Sequence, residues 1–101
     1  MNERQFQFEW DKAKAYANLR KHGVSMELAG TTFDDLRLLS VADLEHSESE
    51  DRWFSIGCAS NGTMLSVAYL WWESGPETIK IRLIPARRAT PAEIRQYLEN
   101  L

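Results

Sequence analysis

The pair Asn61-Gly62 constrains the fold more than any other feature, because it separates two stretches rich in strand-forming residues. Asn-Gly between such stretches is typical of a tight β-hairpin, since both residues tolerate a positive φ. The pattern predicts antiparallel strands over residues 52–58 and 63–71. A Ser-Gly-Pro turn signal at residues 74–76 predicts a further strand over residues 78–86. A meander of three strands is therefore the centre of the expected fold.

Helix signals flank this meander on both sides. Asp11 is a candidate N-cap for a helix that runs to about Lys21, and Gly23 lies where that helix would end. A shorter helix is expected from an N-cap at Ser25 to about Thr32, followed by a strand over residues 36–41.

The last segment of the chain carries the clearest local signal. Thr90 can cap a helix, Pro91 suits its first position, and Glu93 completes a capping box with Thr90. Apolar residues then recur at helical spacing on one face, at Ile94, Tyr97, Leu98 and Leu101.

Alternation at Phe6, Phe8 and Trp10 predicts a short first strand. The expected order is therefore β-α-α-β-β-β-β-α, which is typical of the α+β class. At 101 residues the chain is expected to form a single domain spanning residues 1–101.

Composition limits the classes of function. The formal net charge is −3, which argues against a protein that coats nucleic acid by bulk charge alone. Charge is nevertheless uneven: residues 43–51 carry five acids and no Lys or Arg, and residues 80–88 carry four Lys and Arg residues and no acid. Two solvated faces would also explain this pattern, but an acidic loop beside a basic strand can select partners.

The single cysteine, Cys58, excludes an internal disulfide and a cysteine-based zinc site. Neither histidine, His22 or His46, has the neighbours of a metal site, so no cofactor or metal is expected. No apolar run approaches the length of about 18 residues that a membrane span needs, and residues 1–12 do not resemble a signal peptide. We expect a cytoplasmic protein without a membrane partner.

Alternation in the last strand separates two faces. Ile79, Ile81 and Leu83 should face the core, which leaves Lys80 and Arg82 on the open face. In the strand over residues 52–58, we expect Phe54, Ile56 and Cys58 in the core, and Trp53 and Ser55 on the same open face as the basic residues.

An open face with Lys80, Arg82 and Trp53 would suit single-stranded RNA, because cations hold phosphates and aromatic rings stack on bases. The alternative is that Trp53 is a core aromatic and that the basic residues only keep the sheet soluble. One of the adjacent Trp71 and Trp72 should also face outward, where it would suit a protein interface; helices covering both is the alternative.

The histidines have structural alternatives as well. His22 falls at the end of a helix, where a cation interacts favourably with the helix dipole and needs no catalytic role. His46 falls among acids and is interpreted as a loop residue, and Cys58 as buried and inert.

Four blocks of the chain, in order, resemble the BrnT family, which comprises RelE-like ribonuclease toxins of bacterial type II toxin–antitoxin pairs. The matching positions are Trp10, Asp11, Lys14, Asn18, Lys21, His22 and Gly23; Phe33, Asp34 and Asp35; His46, Glu48 or Glu50, Arg52, Trp53, Ile56 and Gly57; and Arg82, Ile84, Ala86, Arg87, Arg88, Ala89, Thr90, Glu93 and Tyr97.

The resemblance implies a RelE-like fold, a compact antiparallel-rich sheet with helices packed on one side. It also implies metal-free RNA cleavage that inhibits translation, possible action on the ribosome, and neutralisation by a BrnA-like antitoxin. Operator DNA would be bound only within the antitoxin complex.

Metal-free cleavage needs positive groups for the phosphorane oxygens and groups that transfer protons. We assign phosphate binding to Arg82, Arg87 and Arg88, and proton transfer to His22, with Lys21 as a second candidate. Further RNA contacts are expected from Lys21, Lys80, Arg52 and Trp53.

The chain departs from the family pattern at two positions. Many relatives have arginine where this chain has Cys58, and serine where it has Pro85. Loss of that arginine favours a second hypothesis, a non-enzymatic module of the same fold that binds an antitoxin-like partner. A plain RNA-binding domain is a third.

Overall fold

The structure is a computed structural model that describes residues 5–46 and 52–101. In chain order, its elements are β1 (Gln5–Glu9), α1 (Lys12–His22), α2 (Met26–Gly30), β2 (Leu39–Ala42), β3 (Trp53–Cys58), β4 (Met64–Gly75), β5 (Thr78–Arg88) and α3 (Pro91–Glu99). Short 3₁₀ turns occupy Thr31–Asp34 and Leu44–His46. The α+β class and the order of the elements are confirmed. Most of the predicted acidic loop, and the His46 side chain, lie outside the described residues.

The strands form one sheet in the order β1-β5-β4-β3-β2. β1 pairs with β5 in parallel, and the remaining three pairings are antiparallel. The parallel pairing extends only from Gln5–Thr78 to Glu9–Arg82. Past Arg82, the edge of β5 therefore has no strand beside it on the β1 side.

Local hydrogen bonds explain why the helices begin and end where they do. The Asp11 carboxylate accepts from the Lys14 N–H at 2.9 Å, and Gly23 ends α1 with a φ of 70°. At α3, the Thr90 hydroxyl accepts from the Glu93 N–H and the Glu93 carboxylate accepts from the Thr90 N–H, which are the reciprocal bonds of a capping box. No helix in the described ranges is long and apolar enough to cross a bilayer.

The hairpin at Asn61-Gly62 is confirmed, with Ser60 and Asn61 at its centre. The Gly62 N–H donates to the Ala59 carbonyl and the Ala59 N–H donates to the Thr63 carbonyl, each at 2.9 Å. Gly62 has a φ of 85°, whereas Asn61 keeps a negative φ. Gly62 thus occupies the left-handed position of a hairpin that ends in a bulge.

The main core lies between the sheet and the segment of α1 and α2. Its buried residues are Val24, Met26, Ala29, Ala59, Leu65, Val67, Tyr69, Ile81, Leu83 and Ala86. Ser66 alternates with Leu65 and Val67, so its side chain is on the other face, where its hydroxyl donates to Glu93 of α3 at 2.7 Å. The helices therefore divide between the two faces, rather than packing on one side as expected.

Both faces of β3 are covered as a result, and the predicted orientation of β3 is wrong. Ser55 is completely buried and Trp53 packs against the main core, on the face covered by α1 and α2. Phe54, Ile56 and Cys58 are on the α3 face instead. Ser55 and Ile56 point to opposite faces, yet both are buried. Alternation of polar and apolar residues predicts orientation only when one face is exposed, and β3 has no exposed face here.

Two further predicted strand boundaries need correction. β2 begins at Leu39 rather than at residue 36, because the Asp35 carboxylate accepts from the Arg37 N–H and holds that segment in a turn. β5 continues past Pro85 to Arg88, with a register shift against β4 around Ala68. Pro85 lies where no strand flanks β5 on the β1 side, so its missing N–H is tolerated.

The Asn18 side chain takes the place of a strand at this point. Its amide nitrogen donates to the Ala86 and Val24 carbonyls at 2.8 and 2.9 Å, and its oxygen accepts from the Ala86 N–H at 3.0 Å. Asn18 is 7% exposed, so these bonds are shielded from water. They attach α1, and the turn after it, to β5.

We predict that Asn18→Ala lowers the free energy of unfolding by about 2–4 kcal/mol, because three buried hydrogen bonds are lost and the Ala86 N–H is left unsatisfied. Urea denaturation would measure this. Asn100→Ala removes one exposed bond to the Gln96 carbonyl and serves as the matched control, with an expected change below about 0.5 kcal/mol. Equal effects in the two variants would contradict the prediction.

Candidate functional site

A cleft of about 290 Å³ opens on the α3 face of the sheet, between the end of α1, β5 and the start of β3. Its lining residues are His22, Asp43, Arg52, Phe54, Ser66, Ala68, Pro85 and Arg87. Three of the predicted site residues therefore meet here: His22, Arg52 and Arg87. We refer to this cavity as the His22–Arg87 cleft.

Arg87 reaches the cleft through the irregularity in β5. Arg82 and Arg87 are five residues apart, and regular alternation would put them on opposite faces. The register shift pairs Arg82 with Leu70 and Arg87 with Ser66, two positions on the same face of β4. Arg87 therefore shares the face of Arg82, and Arg88 is on the opposite one.

The Arg87 guanidinium is held by Glu93 in a two-pronged ion pair. Nη1 and Nη2 donate to the two carboxylate oxygens at 2.8 and 2.9 Å, and Nη1 also donates to the Arg88 carbonyl at 3.2 Å. The hydrogen bonds to Glu93 raise the pKa of Arg87 above its already high ordinary value. Arg87 therefore keeps its positive charge: it donates hydrogen bonds but does not release a proton as a general acid would.

The ion pair does not exhaust the donors of Arg87. A guanidinium has five N–H groups, and three are used in the bonds to Glu93 and the Arg88 carbonyl. Within the described chain, Nε–H and the second Nη2–H have no acceptor. These two N–H groups form one edge of the guanidinium, which suits two oxygens of a phosphate.

Glu93 accepts more hydrogen bonds than its role in capping α3 involves. Besides Arg87, its Oε1 atom accepts from the Thr90 N–H at 2.8 Å and from the Ser66 hydroxyl at 2.7 Å. These hydrogen bonds, above all those from Arg87, lower the pKa of Glu93 to about 2. The sequence identified Glu93 as a capping residue and a position of the family match, but not as a partner of Arg87 or Ser66. Ser66 is 27 residues away in the chain, and the face of Arg87 depends on the irregularity in β5.

Arg52 and His22 form the opposite side of the cleft. Arg52, just before β3, is partly buried, with Nε 3.8 Å from the Asp43 carboxylate. His22 is half-buried at the last turn of α1, the position at which a cation also favours the helix dipole. An imidazole can give or accept a proton near neutral pH.

Lys21 lines an adjoining cavity of about 250 Å³ that shares His22 and Pro85 with the His22–Arg87 cleft. Its other lining residues are Lys14, Ala17, Asn18 and Ile84. The end of α1 thus contributes positive charge beside the cleft as well as the imidazole within it.

The expected convergence of all three arginines on one spot is wrong. Arg82 donates to the Glu9 carboxylate at 3.0 Å, on the same face as the cleft but outside its lining. Arg88 is exposed on the other face. Lys80 is also outside the cleft, with its Nζ atom 3.8 Å from Glu9.

The expectation that Trp53 accompanies Lys80 and Arg82 is wrong as well. Trp53 pairs with Tyr69, which pairs with Leu83, so its side chain is on the core face. The aromatic in the cleft is Phe54, and the one beside Lys80 is Trp72. Trp71 and Trp72 are 42% and 40% exposed, so neither is covered by a helix, and alternation directs them to opposite faces.

Cys58 is at the other end of β3 from Trp53 and does not line the cleft. Its N–H donates to the Asp35 carboxylate at 2.9 Å, and the same carboxylate oxygen accepts from the Tyr97 hydroxyl at 2.8 Å. Burial and the bond to Asp35 both raise the pKa of Tyr97. This cluster attaches the end of α3 to the segment before β2, and Cys58 is partly exposed rather than fully buried.

The fold and the cleft define a small α+β protein with guanidinium groups and an imidazole converging on a concave sheet face. Residues 10–93 match the family model described as the ribonuclease toxin, BrnT, of type II toxin–antitoxin systems. The chain therefore belongs to the BrnT family of ribonuclease toxins.

A solved structure supports the fold. The ribonuclease toxin BrnT of Brucella abortus matches with a TM-score of 0.58 and 22% sequence identity, over 85% of this chain and 99% of that one. At this identity the similarity establishes a common fold, which confirms the predicted fold class. No curated protein matches the chain.

We predict that the Arg87–Glu93 pair contributes stability above pH 4.5, the ordinary pKa of Glu93, and loses it as the pH falls toward about 2. The sign follows from the lowered pKa, because protonation is easier in the unfolded chain. The contribution of Glu93 with all its partners is at most about 3.5 kcal/mol, at about 1.4 kcal/mol per pKa unit, and the bonds from Arg87 supply the largest share.

Urea unfolding of wild type and Glu93→Gln over this pH range would test the prediction. Glu93→Gln should be less stable at neutral pH, and the difference from wild type should shrink as the solution becomes acidic. A difference that stays constant across the range would contradict the prediction.

Proposed function

We propose that the chain is an endoribonuclease toxin that cleaves RNA without a metal ion at the His22–Arg87 cleft, and thereby inhibits translation in the cytoplasm. The observation that carries this proposal is the convergence of Arg52, Arg87 and His22 on one concavity. The BrnT family assignment supplies the reaction class, and its type II system implies an antitoxin partner.

In the proposed reaction, the ribose 2′-hydroxyl attacks the adjacent phosphate and the 5′-oxygen leaves. Arg87 holds the non-bridging oxygens through its remaining Nε–H and Nη2–H groups, and Arg52 adds positive charge from the opposite wall. Such fixed donors favour the transition state, in which negative charge accumulates on these oxygens. His22 is the candidate for proton transfer.

Residues outside the cleft extend the proposed RNA contacts. Lys21 contacts the phosphate backbone beside the reacting group, from the adjoining cavity. Lys80 and Arg82 contact RNA farther along the same sheet face, rather than the phosphate that is cleaved. Arg88 and Trp53 are not part of the proposed site, because their side chains are on the other face.

The partners are proposed from the family. A BrnA-like antitoxin binds the toxin and blocks cleavage, and operator DNA is bound only by the antitoxin complex. RNA is the substrate, either free or on the ribosome.

A second candidate is a non-enzymatic module of the same fold that binds an antitoxin-like partner. The ion pairs favour it, because Glu93 holds Arg87 and Glu9 holds Arg82 where a phosphate would have to compete. The two unoccupied N–H groups of Arg87 favour the nuclease.

We expect induced expression of the chain alone to arrest bacterial growth, and co-expression of the neighbouring gene product to relieve the arrest. Culture density and protein synthesis would be measured with and without that product. Accumulation of folded protein without any growth defect would exclude the toxin and leave the non-enzymatic module.

We also expect the purified chain to cleave RNA in the presence of EDTA, and Arg87→Ala to lower the rate by about 10²–10³-fold, the usual cost of losing one transition-state donor. Arg87→Lys keeps the positive charge but loses the two-pronged guanidinium, so its cleavage rate should lie between those of wild type and Arg87→Ala. The exposed Arg95→Ala on α3 is the matched control and should cleave at the wild-type rate.

Circular dichroism would establish that each variant is folded, since Arg87→Ala leaves Glu93 without its main partner. A folded Arg87→Ala with wild-type cleavage would remove Arg87 from the active site. Cleavage abolished by EDTA and restored by a divalent ion would contradict the metal-free mechanism.

A further inference from the structure

An exposed strip of aromatic and basic side chains runs along β4 and β5, on the same sheet face as the His22–Arg87 cleft. Cross-strand pairing puts Trp72 beside Lys80 and Leu70 beside Arg82. We refer to these four residues as the β4–β5 strip. The Trp72 residue is 40% exposed, and the side chains of Lys80 and Arg82 are 35% and 47% exposed. No ring or cation among the described residues stacks on Trp72.

The strip is continuous with the cleft. Ala68 lines the cleft, and Leu70 and Trp72 follow it on the same face of β4 at alternate positions. Trp72 is four residues along β4 from Ala68 of the cleft, a distance of about 13 Å. A chain bound with its phosphate at Arg87 therefore has an open, basic path along which to continue.

We propose that the β4–β5 strip binds single-stranded RNA on one side of the cleaved bond, with Trp72 stacking on a base and Lys80 and Arg82 holding phosphates. This inference rests on the proposed ribonuclease function and adds a binding subsite to it. An exposed indole opposite Lys80 and diagonal to Arg82 has the chemistry that single-stranded nucleic acid requires, because every base presents a π-face and the cations hold phosphates.

The Glu9 carboxylate would compete with RNA phosphates for the two cations of the strip. The carboxylate contacts both cations, with Arg82 Nη1 at 3.0 Å and Lys80 Nζ at 3.8 Å. Exposed ion pairs of this kind are weak, so the phosphates of a bound RNA can displace the carboxylate. Two cations against one acid also leave the strip with a net positive charge, in a chain whose formal net charge is −3.

Fluorescence anisotropy with a 2′-O-methyl RNA oligonucleotide would test the subsite, since this probe lacks the attacking hydroxyl and stays intact. We expect Trp72→Ala to weaken binding by about 5- to 100-fold, the usual effect of removing one stacked base contact. Trp72→Phe keeps an aromatic ring and should restore most of the affinity.

Trp71→Ala is the matched control, because Trp71 is adjacent in sequence, equally exposed and directed to the opposite face. We expect it to bind the probe within about twofold of wild type, a difference that corresponds to less than about 0.5 kcal/mol.

The charged residues should change the salt dependence of binding as well as the affinity. Lys80→Ala should reduce the slope of log affinity against log salt by about 0.7, the value for one phosphate contact with a single strand. Glu9→Gln should tighten binding, because it removes the competing carboxylate. Trp72→Ala should leave the slope unchanged.

The possible outcomes separate this inference from the proposed function. If wild type cleaves RNA and binds the probe, but Trp72→Ala and Trp71→Ala bind it equally well, the subsite is overturned and the ribonuclease stands. If Trp72→Ala loses affinity for the antitoxin and not for RNA, the strip is a protein interface and the inference is equally overturned. A wild-type chain that neither binds nor cleaves RNA would overturn both proposals.

Discussion

The structure depends on the pairing of the Asn18 side chain with the backbone of Ala86. β1 covers the edge of β5 only as far as Arg82, and Pro85 has no N–H to offer a further strand. The Asn18 carboxamide donates to and accepts from Ala86 as a strand would. Because this bond fixes the last turns of α1 against β5, it also determines where His22 stands relative to Arg87. The cleft between α1 and β5 thus depends on the Asn18 side chain, which forms the hydrogen bonds to β5 that a neighbouring strand would otherwise form.

Glu93 connects the stability of α3 to the geometry of the cleft. The same carboxylate caps the helix, bonds to Ser66 on β4 and orients the Arg87 guanidinium. An arginine held in this way loses little further side-chain entropy when a phosphate arrives, which favours a preorganised site. The same ion pair reduces the charge that the phosphate meets. In the proposed site, the open edge of the guanidinium, with its Nε–H and second Nη2–H, is what leaves Arg87 able to bind a phosphate despite the ion pair.

The sequence predicted those parts of the fold that depend on nearby residues. The caps at Asp11, Ser25 and Thr90 and the hairpin at Gly62 are local, and each was predicted at its observed position. The orientation of β3 was not, because the 3₁₀ turn at Thr31–Asp34 packs on one of its faces and α3 on the other. The site was predicted only in part for a related reason: Asn18 and Ala86 are 68 residues apart, and the irregularity near Pro85 reverses the face of Arg87. The spacing of apolar residues along the sequence does not indicate contacts between residues so far apart.

The absence of an arginine at position 58 argues less against cleavage than the sequence suggested. Cys58 does not line the His22–Arg87 cleft, and it lies two residues along β3 from Ile56, which pairs with Ser66 of the cleft wall. Its backbone N–H and the Tyr97 hydroxyl both donate to Asp35, so this end of β3 is where the chain holds α3 in position. An arginine there would add charge beside Asp35 and Tyr97, on the same sheet face as Arg87. The cations of the cleft come from β5 and from the start of β3, and Cys58 leaves both in place.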